Sequence, residues 1–359
     1  MENSILFSHF RLKGFRVKNR IVMPPMVCIG YSDETGIVSE RHIRHYSERA
    51  LNGAGIIIQE ATAVMKNGRT APGQLGIWGD EHIEGLSEIS TIIRGNGALA
   101  LIQLHHAGIV SPDYITGSPA GPSADPEKPG SREMSDDEVA EVITAFIDAA
   151  GRAREAGFDG IELHGAHGYL LNQFANPSWN RRTGIFGETF GNRLRPAVEI
   201  IRGVRNLCGP DFIIGYRMGV NTPTLEDGII TAQYLEQTGI DYLHVSHGGN
   251  LRNLPRPPKD FPFNWIVYSG ASVKARVGIP VIAVNEIKTA ERAESLISSE
   301  MADFVALGRP ILADPAWVHH VYTRQAVNEC LSCKPKCRWY EDSRLCPALK
   351  RLEKQEPTT

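Results

Sequence analysis

The chain has 359 residues, of which 42% are hydrophobic and 22% charged, enough to bury a large core as either one big α/β barrel or two ordinary domains. A formal charge of −3 gives no broad attraction to nucleic acid or an anionic membrane, so no polymer partner is implied. The longest apolar runs, such as Gly278-Ile-Pro-Val-Ile-Ala-Val284, are of strand length, and the start Met1-Glu-Asn-Ser lacks a basic signal-peptide head. The expectation is a cytoplasmic protein.

In chain order, short apolar runs at 20–26, 56–61, 99–104, 160–163, 213–217, 242–246, 281–284 and 304–307 are expected strands, with helix-like stretches between them. The clearest helix opens at Ser135-Asp-Asp-Glu138, which has the form of a capping box. Val139, Val142, Ile143, Phe146, Ile147 and Ala150 follow at offsets of three and four, so this helix should lie flat on a sheet. Eight such βα units predict a closed (β/α)8 barrel with its site at the C-terminal strand ends. An open doubly wound sheet is disfavoured, because no Gly-x-Gly-x-x-Gly opens a helix after the first strand.

Two connections are long. Residues 108–134 read as a mobile lid or a tolerated insertion. The 248–262 loop carries Arg252, Arg256 and Lys259 among prolines, as either a stiff rim for an anionic group or a solvated loop. The barrel is expected over residues 1–315, with a Cys-rich C-terminal extension over 316–359.

After the fourth strand, Glu162-Leu-His164-Gly-Ala-His167-Gly-Tyr169 places three polar rings within six residues. At a barrel mouth, His164 and His167 can donate to one carbonyl oxygen and polarise a conjugated C=C bond for hydride addition at its β-carbon. Tyr169, protonated at neutral pH, is suited to deliver a proton to the α-carbon. A single histidine at a strand end is more often structural; the pair with a tyrosine gives the reading its weight.

Four of the six cysteines fall in Cys330-Leu-Ser-Cys333-Lys-Pro-Lys-Cys337 and Cys346. The two short spacings let one turn present three sulfurs while a fourth closes the set, the pattern of an iron–sulfur cluster. Four-cysteine zinc sites use the same pairs, so spacing leaves both metals open. Disulfides are disfavoured in a chain with no signal peptide.

Beyond these local patterns, the chain resembles the Old Yellow Enzyme family of FMN-dependent oxidoreductases over roughly residues 5–346. The resemblance runs through Asn19-Arg-Ile-Val-Met-Pro-Pro-Met26, Gln103-Leu-His-His-Ala-Gly108, the His164 to Tyr169 run, Gly191-Asn-Arg-Leu-Arg195 with Glu199, and Ala306-Leu-Gly-Arg-Pro310. The cysteines after Arg309 are similar to the branch containing 2,4-dienoyl-CoA reductase and trimethylamine dehydrogenase. That implies a TIM barrel with FMN in its mouth and a [4Fe-4S] cluster beside it.

By this resemblance Pro25 and Met26 frame the flavin through backbone contacts, Ala61 lies beside the ring and Gln103 bonds its pyrimidine edge. Arg217 sits near N1 and O2, where fixed positive charge favours the anionic reduced ring. The phosphate is expected at strands seven and eight, on Gly308, Arg309 and Asn285. The implied activity is that of an ene-reductase on an α,β-unsaturated carbonyl substrate. Electrons would pass through the cluster from a separate electron-transfer protein or subunit, or come directly from NAD(P)H, and a homo-oligomer is expected. The trimethylamine branch implies instead amine N-demethylation, with Trp179, Trp265 and Tyr268 boxing a cation. A third reading is a non-catalytic barrel subunit with a structural zinc site.

The sequence also departs from the family pattern. Glu286 follows Asn285 where a basic residue would help to bind phosphate, and the interval from Cys337 to Cys346 is short. Cys28 stands one position beyond a flavin-contacting cysteine of some relatives, so its sulfur is expected to miss the ring. The chain stops at Thr359, so no FAD/NADH module is expected within it.

Overall fold

Runs of β-branched residues alternating with amphipathic helices make strands apolar on both faces. In the computed structural model, which describes residues 4–249 and 253–354, those strands close on themselves. The eight parallel barrel strands are β1 (Ile21–Met23), β2 (Ile56–Ala63), β3 (Leu99–His105), β4 (Gly160–Gly165), β5 (Ile213–Gly219), β6 (Tyr242–Ser246), β7 (Val281–Val284) and β8 (Phe304–Ala306). Each pairs with the next, and β8 returns to β1. Every expected strand is present. The first is shorter than expected: Pro24 and Pro25 have no N–H for the ladder, so residues 24–26 leave β1 as a loop at its C-terminal end.

The crossovers are α1 (Glu40–Leu51), α2 (Ile83–Gly95), α3 (Asp136–Glu155), α4 (Phe190–Cys208), α5 (Leu225–Gln237), α6 (Trp265–Lys274) and α7 (Ala290–Ser298). The capping box opens α3 as expected. Glu138 N–H donates to Ser135 Oγ at 3.1 Å and Ser135 N–H donates to Glu138 Oε2 at 2.8 Å. Val139, Val142, Ile143, Phe146 and Ala150 are buried against the barrel, with Ile147 half-covered.

The barrel interior changes character along its axis. At the N-terminal end Val22, Ile56, Leu101, Ile213 and Phe304 form an apolar plug with Leu12 and Val17 of the hairpin Phe10–Leu12 and Phe15–Val17. Phe10 meets Phe304 edge-on at 4.8 Å between centroids. Truncating Phe304 to Ala would cost about 3–5 kcal/mol, the transfer loss plus the cavity left behind. Toward the other end, register pairs Gln103 with Glu162, His164 with Arg217, and Arg217 with His244, so polar side chains share the upper interior. Sequence alternation and register together put the chemistry at the C-terminal mouth.

The 108–134 connection is tied down. It contains the short helix Asp113–Thr116 and the paired strands Ala120–Gly121 and Arg132–Glu133. Ile109 N–H donates to Gln173 Oε1 at 3.1 Å, and Arg181 N–H donates to Ser123 Oγ at 3.0 Å. The tail is anchored too. Trp317 and Trp339 are buried, and Trp339 Nε1 donates to the Val27 carbonyl at 2.9 Å, which brings the cysteine loop to the β1 end of the mouth. Among the described residues no helix is long and apolar enough to cross a membrane.

Candidate active site

A cavity of about 330 Å³ opens at the C-terminal ends of the strands. Pro25 and Met26 reach it from the loop after β1, His167 and Tyr169 from the turn after β4, and Arg217 from β5. Asn285 enters after β7 and Gly308 with Arg309 after β8. Ala61, Gln103 and His164, also expected at the site, are buried in β2, β3 and β4 and do not line the cavity. Backbone strain clusters here: His167, Asn285 and Glu286 adopt φ of 60°, 97° and 54°, a region L-residues rarely occupy. At His167 that turn ends the inward-facing strand and swings the next ring over the mouth.

The histidines form a chain. His105 Nδ1 lies 3.1 Å from His164 Nδ1, His164 Nε2 lies 2.9 Å from His167 Nδ1, and His167 Nε2 lies 2.8 Å from Ser246 Oγ. Burial, reinforced by neighbouring imidazoles and Arg217, pushes His164 and His167 well below the usual histidine range, so both are neutral at pH 7. Tyr169 packs edge-on against His105 at 4.4 Å and His164 at 4.8 Å. Burial raises its hydroxyl pKa and Arg217 pulls it partly back, which leaves a protonated phenol beside a cation.

Arg217 is buried, and its Nε has no hydrogen-bond partner. Beneath it Glu162 accepts from Gln103 Nε2 at 2.7 Å, Tyr242 Oη at 3.2 Å and His244 Nδ1 at 2.9 Å. Burial disfavours the Glu162 charge, but His244, Arg217 and Gln103 outweigh it and hold the carboxyl below its ordinary value. Gln103 is thus engaged with Glu162. At the β7 and β8 ends, Glu286 accepts an ion pair from Lys288 at 2.8 Å and another from Arg309. The acidic residue found where a basic one would help therefore sits between two cations.

These residues fit FMN. A buried guanidinium with a free N–H faces the ring position, and two cations stand at the phosphate end. A Cβ at Gly308 would come 3.2 Å from Met26 Sδ and 3.6 Å from Pro24 Cγ, so the glycine keeps the backbone approach open. The four tail cysteines are half-buried free thiols, and Cys330, Cys346 and Cys333 each add to the burial that raises the Cys337 thiol. That soft donor set suits iron–sulfur or zinc. The loop also touches the mouth electrostatically, since Cys330 and Tyr340 both act on Arg309.

Tyr340 went unnoticed in the sequence. It lines the cavity, and burial raises its hydroxyl. Its position three residues after Cys337 was the available signal. Trp179, Trp265 and Tyr268 do not line the cavity, and Tyr268 instead packs on Phe261 at 5.2 Å. Arg256 and Lys259 are exposed away from it, and Arg252 lies outside the described residues. Cys28 is fully buried off the cavity, its thiol raised by burial and by Glu60.

A sequence profile of the NADH:flavin oxidoreductase / NADH oxidase family matches residues 5–328. The chain is 39% identical over 349 residues to an NADH oxidase of Thermoanaerobacter brockii, covering 92% of this chain and 53% of that protein. It is 38% identical over 318 residues to an NADPH dehydrogenase of Halalkalibacterium halodurans, covering 87% and 92%. Among solved structures, a 2-naphthoyl-CoA reductase complex superposes with a TM-score of 0.82 at 25% identity over 91% of this chain and 54% of that one. Morphinone reductase superposes at 0.79 and 25% over 91% and 92%. The chain thus spans about half the length of the first and third of these and nearly all of the others. With the barrel, the mouth cavity and the flavin-compatible residues agreeing, the chain belongs to the NADH:flavin oxidoreductase / NADH oxidase family, the Old Yellow Enzyme family.

Proposed function

We propose that this enzyme is an ene-reductase that reduces the C=C bond of an α,β-unsaturated carbonyl compound. The observation that carries the reading is that His167 and Tyr169 line the same cavity as Arg217, Gly308 and Arg309. FMN, when bound, supplies the hydride chemistry. Pro25, Met26 and Gly308 offer backbone to the ring, Arg217 the fixed positive charge, and Arg309, Lys288 and Asn285 the phosphate end. Ala61 and Gln103 shape the floor, Gln103 by holding Glu162.

His167 anchors the carbonyl, and His164 stands behind it. The incoming oxygen accepts the imidazole N–H now shared between them, and neutral rings donate without being poised to lose a proton. Tyr169 then gives its proton to the α-carbon, and Arg217 steadies the phenolate until solvent reprotonates it.

We further infer that Cys330, Cys333, Cys337 and Cys346 hold a [4Fe-4S] cluster that relays electrons from a separate carrier, with direct use of NAD(P)H as the competing supply. The Cys330-x2-Cys333-x3-Cys337 spacing with a fourth thiol at Cys346 supports the cluster, and zinc is the alternative metal for the same donors.

The test is flavin and iron analysis of protein purified without oxygen, followed by anaerobic turnover of 2-cyclohexenone. FMN with about four irons per chain is expected, and His164→Ala/His167→Ala should abolish turnover. Folded protein lacking FMN, or undiminished turnover in that variant, would refute the reading.

A further inference from the structure

We infer that the face bearing the cysteine loop is the docking surface for an acidic one-electron carrier protein. The inference rests on the cluster reading above and names the partner that such a cluster would serve. Its observations are charge and exposure. Within residues 330–350, Lys334, Lys336, Arg338, Arg344 and Lys350 face only Glu341 and Asp342. With neutral thiols the segment therefore carries +3 in a chain that totals −3, so all the rest carries −6; four thiolates on a [4Fe-4S]2+ core would leave the segment at about +1, with the cations on its exposed side chains.

All five cations are exposed. Glu341 is already shared by Lys336 at 3.5 Å and Arg338 at 3.6 Å, and Asp342 is taken by Arg344. Among the described residues Lys334 and Lys350 pair with no carboxylate. Leu331, 50% exposed, and Leu345, 37% exposed, supply apolar surface in the same segment as the half-buried thiols. Exposed cations and exposed leucines in the same segment as redox-capable sulfurs are the components of a transient electron-transfer interface. Opposite charge speeds and orients the encounter, while the limited apolar contact keeps it reversible. A nucleic acid would share the charge attraction but has no use for the sulfurs or the exposed leucines.

The experiment measures binding of the holoprotein to an acidic bacterial ferredoxin by surface plasmon resonance, with basic cytochrome c and a short DNA duplex as comparison ligands. Ferredoxin should bind at low salt, weaken about tenfold or more when the ionic strength rises past the screening range, and weaken about tenfold in Lys334→Glu/Lys350→Glu. Lys334→Arg/Lys350→Arg should bind as the parent does, and cytochrome c should not bind. Ferredoxin affinity unchanged by the charge reversal, or tighter binding of DNA than of ferredoxin, overturns the proposal. Iron and FMN are assayed on the same samples. Iron-free protein that still binds ferredoxin upholds the surface and refutes the cluster, and iron-loaded protein that ignores ferredoxin refutes the surface alone.

Discussion

Moving from pH 7.5 to pH 5.0 should strip at least about 4 kcal/mol from the folding stability, through buried groups. His42 and His106 are pushed by burial down to about 4, and His105 to about 3. Geometry agrees, because His42 Nδ1 accepts from Ser39 N–H at 3.2 Å and His106 Nδ1 from Gly108 N–H at 3.0 Å, which requires neutral rings. Below about 6.5 the unfolded chain binds a proton on each imidazole that the folded chain refuses, so this stability is present above 6.5 and lost as pH falls. Each ring then forfeits about 2 kcal/mol by pH 5.0.

Glu60 works in the opposite direction. Burial raises its carboxyl to about 7, so the folded form takes the proton first and gains about 2 kcal/mol over the same interval. The net of these groups is about 4 kcal/mol, a large part of the roughly 5–15 kcal/mol of a whole protein. His45, His164 and His167 are shifted the same way as the other rings and deepen the loss. Urea unfolding followed by tryptophan fluorescence, at fixed ionic strength and fixed FMN, reads it directly. A stability at pH 5.0 equal to or above that at pH 7.5 would show that these imidazoles titrate as if exposed, and the buried-histidine argument would fail.

Tyr169→Phe should lower 2-cyclohexenone turnover about 100-fold or more while flavin reduction by the donor and FMN content stay as in the parent; loss of FMN would mark the tyrosine as packing. Arg217→Leu removes the cation above buried Glu162, so thermal unfolding should show about 3 kcal/mol less stability and flavin absorbance should fall after gel filtration. Retention of both would show that Glu162 is balanced by His244 alone.

The barrel was legible because each strand is a short apolar run bounded by polar or glycine residues, and such runs need no partner information to be seen. The end of β1 was misread, because the apolar run continues through Pro24-Pro25 to Met26 while the ladder stops at Met23, before the first residue without a donor. The polar interior was less accessible. His164 and Glu162 lie two apart on β4 and so face inward together, and only the register with β5 and β6 reveals that they meet Arg217 and His244. His167 escapes that fate through a backbone conformation that its neighbours Gly165 and Gly168 hint at but do not specify. Tyr340 had only its closeness to Cys337 as a signal, and its place at the mouth depends on Trp339 reaching Val27 across 312 residues of chain.

The placement of Glu162 explains how the mouth can hold a fixed cation without being strongly positive. A lone buried guanidinium would cost several kcal/mol in desolvation, and a direct ion pair would spend its donors on the protein. Here the carboxylate is held one level lower by Gln103, Tyr242 and His244, close enough to steady Arg217 electrostatically while the arginine Nε stays unpaired. Because Glu162 is held by Gln103 on β3 and by Tyr242 and His244 on β6, closure of the sheet is itself what fixes the charge at the mouth. A single loop could not reproduce that arrangement. It follows that substitutions at Tyr242 or His244, which do not line the cavity, should act on the mouth through Arg217 before they act on the fold.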